Sequence, residues 1–162
     1  MREPGANDHI PAKSICIPAA PPVDIAELLP LVDHPLLQKL KHRKQLGINC
    51  VVFPGAVHSR FEHAIGVLGM TQRLCQIQGI GGPTRQLLCA YALIHDVGHG
   101  PFSHQSEPVI GGDHNLRGIG CLHALETALS RCGIRPAAME AFFRRQNPLE
   151  RLVSDRNLGT DK

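Results

Sequence analysis

Apolar positions recur at helical spacing over most of the chain from Asp33 onward. Leu36, Leu37 and Leu40 form one apolar face that runs up to Leu46 and Gly47, with Asp33 as the expected N-cap and Pro35 in the first turn. Residues 48–57 break this pattern: they are short, β-branched and interrupted by Pro54-Gly55, which predicts a small hairpin. Ser59-Arg-Phe-Glu62 is a capping-box pattern, in which a hydroxyl and a carboxylate each satisfy an orphan amide at a helix start. The helix it opens is expected to run to about Gln78, with Phe61, Ile65, Leu68 and Leu74 on one stripe, and to stop at Gly79-Ile-Gly-Gly-Pro83. Thr84 is placed to cap a helix over residues 85–97, whose stretch 87–94 is apolar on all sides and so belongs at the centre of a bundle. Gly98 is expected to end it in the left-handed conformation. After a loop rich in Gly, Pro, His and Ser over residues 98–113, helices are predicted over 116–131, 136–146 and 149–154. The expected fold is all-α, a helical bundle with at most one small β-hairpin.

Residues 1–23 carry five prolines and no periodicity, so they read as a flexible lead-in, and residues 24–162 as one domain. Hydrophobic residues make up 43% of the 162 and charged residues 19%, which excludes a wholly disordered chain. No apolar run approaches the roughly 18 residues of a membrane span. The N-terminus lacks the basic start and apolar stretch of a signal peptide, so a cytoplasmic protein is expected. Cys16, Cys50, Cys75, Cys89, Cys121 and Cys132 form no CxxC pair and read as small buried hydrophobes in a reducing compartment. A net charge of +3 suits a small anionic substrate. The twelve arginines are scattered and aromatics are 4% of the chain, which argues against nucleic-acid binding.

Histidine changes the picture. Ten occur, and His58, His63, His95, His99, His104 and His114 lie within 57 residues in which carboxylates are scarce. Between Glu62 and Glu107 the sole carboxylate is Asp96, directly after His95 at the end of the most apolar predicted helix. An unpaired carboxylate buried there would cost several kcal/mol. A hydrogen bond from a neighbouring imidazole would relieve that cost, and so would a divalent cation shared by His95 and Asp96. His63, in the first turn of the preceding helix, supplies a third ligand if the two helices pack antiparallel.

The string Phe53-Pro-Gly-Ala-Val-His-Ser-Arg-Phe-Glu-His63, followed by Leu93-Ile-His-Asp-Val-Gly-His-Gly-Pro-Phe-Ser-His104, resembles the HD superfamily of metal-dependent phosphohydrolases, and within it the deoxynucleoside triphosphate triphosphohydrolase branch. The resemblance covers roughly residues 33–162 and implies one divalent ion (Mg, Mn, Fe or Zn) on His63, His95, Asp96 and a distal aspartate. Asp161 matches that last ligand, with Asp155 as the fallback. It further implies that Gln45 and Leu46 meet the sugar, and that Arg60 grips phosphate. A cation in a helix first turn opposes the dipole, which disfavours a merely solvated Arg60. By the same resemblance His99 and His114 face phosphate, His104 is the general acid toward the departing 5′-oxygen, and Glu107 orients His104. His58 is left between a site-lining role and an exposed loop position. No extra ligand pair for a second metal is apparent in the sequence.

The implied activity is hydrolysis of a nucleotide, a dNTP by the likeness. The rival reading is a truncated or regulatory module that binds metal or nucleotide with little turnover. That rival rests on the C-terminus, where the family's Asp-Tyr continuation and following helices are not found after Asp161. Two structural expectations accompany it: Asp161 frays near the chain end, and the 87–94 helix leaves a bare apolar side that invites self-association into a homo-oligomer.

Overall fold

The computed structural model describes residues 13–18, 20–110, 113–155 and 157–161, apart from the side chains of Ser103, Glu107 and Ile110. Its centre is a pair of helices, α3 (Arg60–Gln78) and α4 (Gly82–Ile94), packed against each other across a tight turn; the shorter α1 (Leu29–Val32) and α2 (Pro35–Gln38) precede them. The α3 start is the predicted capping box: Ser59 Oγ accepts from the Glu62 amide at 3.2 Å, and Glu62 Oε2 accepts from the Ser59 amide at 2.6 Å. Its end is Gly79, at φ +65°, whose amide closes on the Cys75 and Gln76 carbonyls. A residue with a Cβ would be strained at that angle.

Downstream come α5 (Glu107–Ile110), α6 (His114–Arg131), α7 (Pro136–Phe143) and α8 (Arg151–Ser154). Helix α6 packs on α1 and α7, while α8 lies against both central helices. In α4, Leu88 through Ile94 are all buried, and Tyr91 meets the rings of Phe142 and Phe143 at centroid separations of 5.1 and 5.4 Å. Each fully buried leucine there contributes about 1.5–3 kcal/mol. The expected bare apolar side of this helix is therefore absent, because α1, α3, α7 and α8 cover it.

Several local expectations are corrected. Residues 48–57 form no hairpin: Gly47–Val51 is a short 3-10 helix followed by turns. Val51 and Val52 are 80% and 72% exposed, so their β-branching has no packed surface to act on. The two strands lie instead inside the supposed flexible lead-in, β1 (Ser14–Ile15) antiparallel to β2 (Val23–Asp24). They are held because Val23 packs on Gly69 of α3, where an added Cβ would stand 2.9 Å from Val23 Cγ2. Residues 1–12 of that lead-in lie outside the described residues.

The predicted helix after Asp33 is split. Asp33 ends α1, His34 caps α2 through its Nδ1, and Lys39–His42 tightens to a 3-10 turn. Helix α4 begins at Gly82, before Thr84. Gly98 does not adopt a positive φ. Its lack of a side chain serves packing: a Cβ there would overlap the His114 carbonyl oxygen and the Gly118 backbone nitrogen. Three cysteines are buried as expected, Cys75, Cys89 and Cys132; Cys16 is exposed and Cys50 and Cys121 are half-buried. No helix among the described residues is long and apolar enough to cross a membrane.

Candidate functional site

The close packing of α3 on α4 brings the first turn of α3 beside the last turn of α4, so His63 faces His95 with ring centroids 5.5 Å apart. Asp161 arrives from after α8. Its backbone is tied rather than frayed, with the amides of Thr160 and Asp161 donating to the Leu152 and Val153 carbonyls, both at 3.0 Å. Thr71 Oγ1 donates to the Val67 carbonyl, so it accepts from the Thr160 hydroxyl 2.7 Å away and fastens the segment to α3. Asp161 Oδ1 then stands 2.7 Å from His63 Nε2 and 3.3 Å from His95 Nε2. His63, His95 and Asp161 each offer a ligand atom within 4.8 Å of the others.

Asp96 joins this group from the α4 end but divides its oxygens. Oδ2 accepts from Arg60 at 2.5 Å and lies 3.8 Å from His63 Nε2. Oδ1 lies 3.4 Å from His95 Nε2 and 3.3 Å from His99 Nε2. Arg60 and Asp96 are both buried, so the arginine expected to grip phosphate is engaged here with a carboxylate.

The electrostatics are those of a cation site. Burial would lower the His95 pKa, but the carboxylates of Asp96 and Asp161 outweigh it and raise it to about 9. Burial would likewise raise Asp96 and Asp161, yet the adjacent imidazoles, and Arg60 for Asp96, hold both well below the ordinary carboxylate range. His95 Nε2 is buried with neither carboxylate aligned for a hydrogen bond, while its Nδ1 lies 2.8 Å from the Ala92 carbonyl. A fixed Nδ1 and an unbonded Nε2 among carboxylates fit a divalent ion on His63, His95, Asp96 and Asp161.

His99, His104 and His114 gather on the other side of Asp96. The His99 ring stacks on His114 at 4.1 Å and meets His104 edge-on at 4.6 Å. His99 is 2% exposed, and burial lowers its pKa to about 4 despite Asp96. His114 opens α6 under an Asp113 cap that accepts from the Asn115 amide at 2.5 Å. Glu107 starts α5, and its side chain lies outside the described residues.

Gln45 and Leu46 are half-buried on the segment that bridges to Ser59, and Gln45 Oε1 is buried without a hydrogen-bond partner. Two residues that the sequence reading passed over position this region. Arg43 Nη1 donates to the His99 carbonyl. Gln105 Oε1 accepts from the Ile48 amide at 3.2 Å and its Nε2 donates to Asn49 at 3.0 Å, pinning the His104 loop to the Gln45–Leu46 segment. Neither carries a local signal, since each acts across more than 50 residues of chain. A cavity of about 1450 Å3 reaches His58, His63 and Asp161 and runs along α3, but it does not touch Gln45, Arg60 or the three-histidine group.

The HD domain family model matches residues 60–150, more than half of the chain. Deoxynucleoside triphosphate triphosphohydrolase SAMHD1 of Danio rerio is 35% identical over 153 residues, 80% of this chain and 25% of that protein. The uncharacterized protein YwfO of Bacillus subtilis is 45% identical over 89 residues, 51% of this chain and 21% of that protein. Among solved structures, a phosphohydrolase from Bacteroides thetaiotaomicron superposes with a TM-score of 0.77 at 31% identity, over 92% of this chain and 39% of that one. The chain thus spans about a quarter or less of these curated relatives. With its helical fold, its His-Asp grouping and this match, the chain belongs to the HD domain family, the metal-dependent phosphohydrolases that its motifs resemble.

Proposed function

We propose that this chain carries the catalytic centre of a metal-dependent phosphohydrolase acting on a nucleoside triphosphate, a dNTP by its likeness to SAMHD1. The observation that carries the reading is the meeting of His63, His95 and Asp161, with Asp96 beside them, next to a second histidine group. His63, His95, Asp96 and Asp161 would hold one divalent ion (Mg, Mn, Fe or Zn), which when bound polarises a phosphoryl oxygen and lowers the pKa of a bound water. Around it, His99 and His114 would face the phosphate charge, and Arg60, paired with Asp96 in this structure, would have to leave that carboxylate to join them. Water attacks phosphorus, the bond to the 5′-oxygen breaks, and His104, oriented by Glu107, delivers the proton that oxygen takes up. Gln45 accepts the 3′-hydroxyl hydrogen bond and Leu46 crowds the 2′ position.

The test is release of inorganic triphosphate from each dNTP by the Mn-loaded protein. His104→Ala should cut turnover by roughly 10²–10⁴ with metal content unchanged. A protein that binds metal and nucleotide yet releases no more triphosphate than its His104→Ala variant would replace this reading with a regulatory module.

A further inference from the structure

Asp161 reaches the centre by a different route from its partners. His63 stands on α3, and His95 and Asp96 at the end of α4, whereas Asp161 lies on the turn that follows α8. A ligand on a loose turn must be ordered when the ion binds, and that lost entropy lowers affinity. Here the turn is built. Asp155, the alternative ligand by sequence, instead uses Oδ1 to accept from the amides of Asn157 and Leu158, at 2.9 and 3.1 Å. The Gly159 amide donates to the Asp155 carbonyl at 3.1 Å, and a Cβ on this glycine would overlap the Val153 carbonyl oxygen of α8. A further tie crosses to α3. Thr71 is fully buried about two turns beyond His63, and the Thr160 hydroxyl meets its Oγ1 at 2.7 Å.

We propose that Thr71 is a positioning residue of the metal centre: by accepting from Thr160 it holds the neighbouring Asp161 carboxylate at the spacing that His63 and His95 need to share an ion with it. The inference rests on the metal centre of the proposed function and names what presets one of its ligands. The Thr71 hydrogen goes to the Val67 carbonyl at 2.8 Å, so its oxygen accepts and Thr160 donates, which gives the bond one direction. The amides of Thr160 and Asp161 tie the segment to α8, while the Thr160 hydroxyl ties it to α3, the helix that carries His63. Thr71 thus sets the spacing between two ligands that come from different elements. Groups that orient a ligand directly are typically worth about 10–100-fold in metal affinity. Thr71 acts one residue further out, through a single neutral hydrogen bond, for which about 2–12-fold is expected.

Thr71→Val keeps the β-branched shape and removes the hydroxyl, and the Val67 carbonyl retains its helical amide donor. After chelator stripping, the full chain is titrated with Mn alone by calorimetry, and urea melts in chelator read the fold separately. Thr71→Val and Thr160→Val should each bind Mn about 2–12-fold more weakly than the wild type. The double variant should lose no more than either single one, because both remove the same bond. Thr71→Ser, which keeps the hydroxyl, should bind within about twofold of the wild type. A purely structural threonine would lower the urea midpoint and leave Mn affinity unchanged, and that result overturns the proposal while the metal centre stands. Losses that multiply in the double variant overturn it as well, since the two hydroxyls then act apart. A wild type that binds no Mn, or a His63→Ala variant that binds it as tightly as the wild type, removes the metal centre itself and the proposed function with it.

Discussion

Replacing Arg60 by alanine tests how the buried charges of this site are balanced. The guanidinium is 2% exposed and donates at 2.5 Å to Asp96, whose side chain is 6% exposed. Neither ion reaches water, so truncating Arg60 leaves Asp96 with only the neighbouring imidazoles of His95 and His99 to balance its charge. Removing one partner of a buried pair typically costs about 3–5 kcal/mol, most of it the desolvation of the charge left behind. Against total stabilities of about 5–15 kcal/mol this is a large fraction. In urea, with a slope of about 2 kcal/mol per molar, it moves the midpoint down by ~1.5–2.5 M.

The same carboxylate sits among the ligands assigned to the metal, so the loss should depend on the ion. In chelator the full deficit is expected, whereas with saturating Mn the cation compensates Asp96 in place of Arg60. If the deficit shrinks by about 1.4 kcal/mol, the variant holds the metal roughly tenfold more tightly than the wild type does. Paired urea melts with chelator and with Mn read both numbers. A deficit below about 1 kcal/mol in chelator would refute the buried-pair argument. A deficit unchanged by Mn would refute the assignment of Asp96 to the metal.

Three further outcomes are expected. Ser59→Ala removes half of the capping box at the α3 start and should lower stability by about 1 kcal/mol, read as a fall in Tm of ~2–4 °C. Gly98→Ala forces a methyl into the His114 carbonyl and the Gly118 backbone and should cost about 1–3 kcal/mol by thermal melt; Gly55→Ala, with nothing within 4 Å, serves as the silent control. In a thiol-labelling time course at pH 8, exposed Cys16 should react first, while Cys75, Cys89 and Cys132 react only on unfolding. Cys89 is the clearest case, since burial pushes its thiol up to about 12 and leaves almost no thiolate.

What was legible in the sequence was what local chemistry decides. The Ser59–Glu62 box and the glycine stop at Gly79 fix the ends of α3 within four or five residues of themselves, and the structure keeps both. The His63 and His95 positions followed once the helices were antiparallel. The failures share the opposite property. The β-branched run at Val51–Val52 lacks a surface to pack on, whereas Val23 is held on α3 and Ile15 pairs with it, rather than either following from its own alternation. The anchoring of Asp161 depends on two carbonyls near the end of α8 and on a threonine of α3, none of which any spacing announces. Gly98 was singled out for the wrong reason: its value lies in a backbone approach that only the packing of α6 creates.

The placement of Asp96 makes the two histidine groups a single electrostatic unit. Its Oδ1 lies 3.4 Å from His95 Nε2 and 3.3 Å from His99 Nε2, so one oxygen answers to both sides. At an effective dielectric of about 20, unit charges 4 Å apart interact by roughly 4 kcal/mol. A cation or proton gained at His95 therefore draws on the negative charge that orients His99, and a charge placed on the three-histidine side weakens the hold of Asp96 on the other. Arg60 competes for the same carboxylate through Oδ2. Occupancy of one group must shift affinity at the other, and by linkage the shift is reciprocal. Under the proposed function, a polyphosphate that reached Arg60 would loosen its grip on Asp96 and so strengthen what that carboxylate offers a metal, and substrate arrival would then be coupled to completion of the centre.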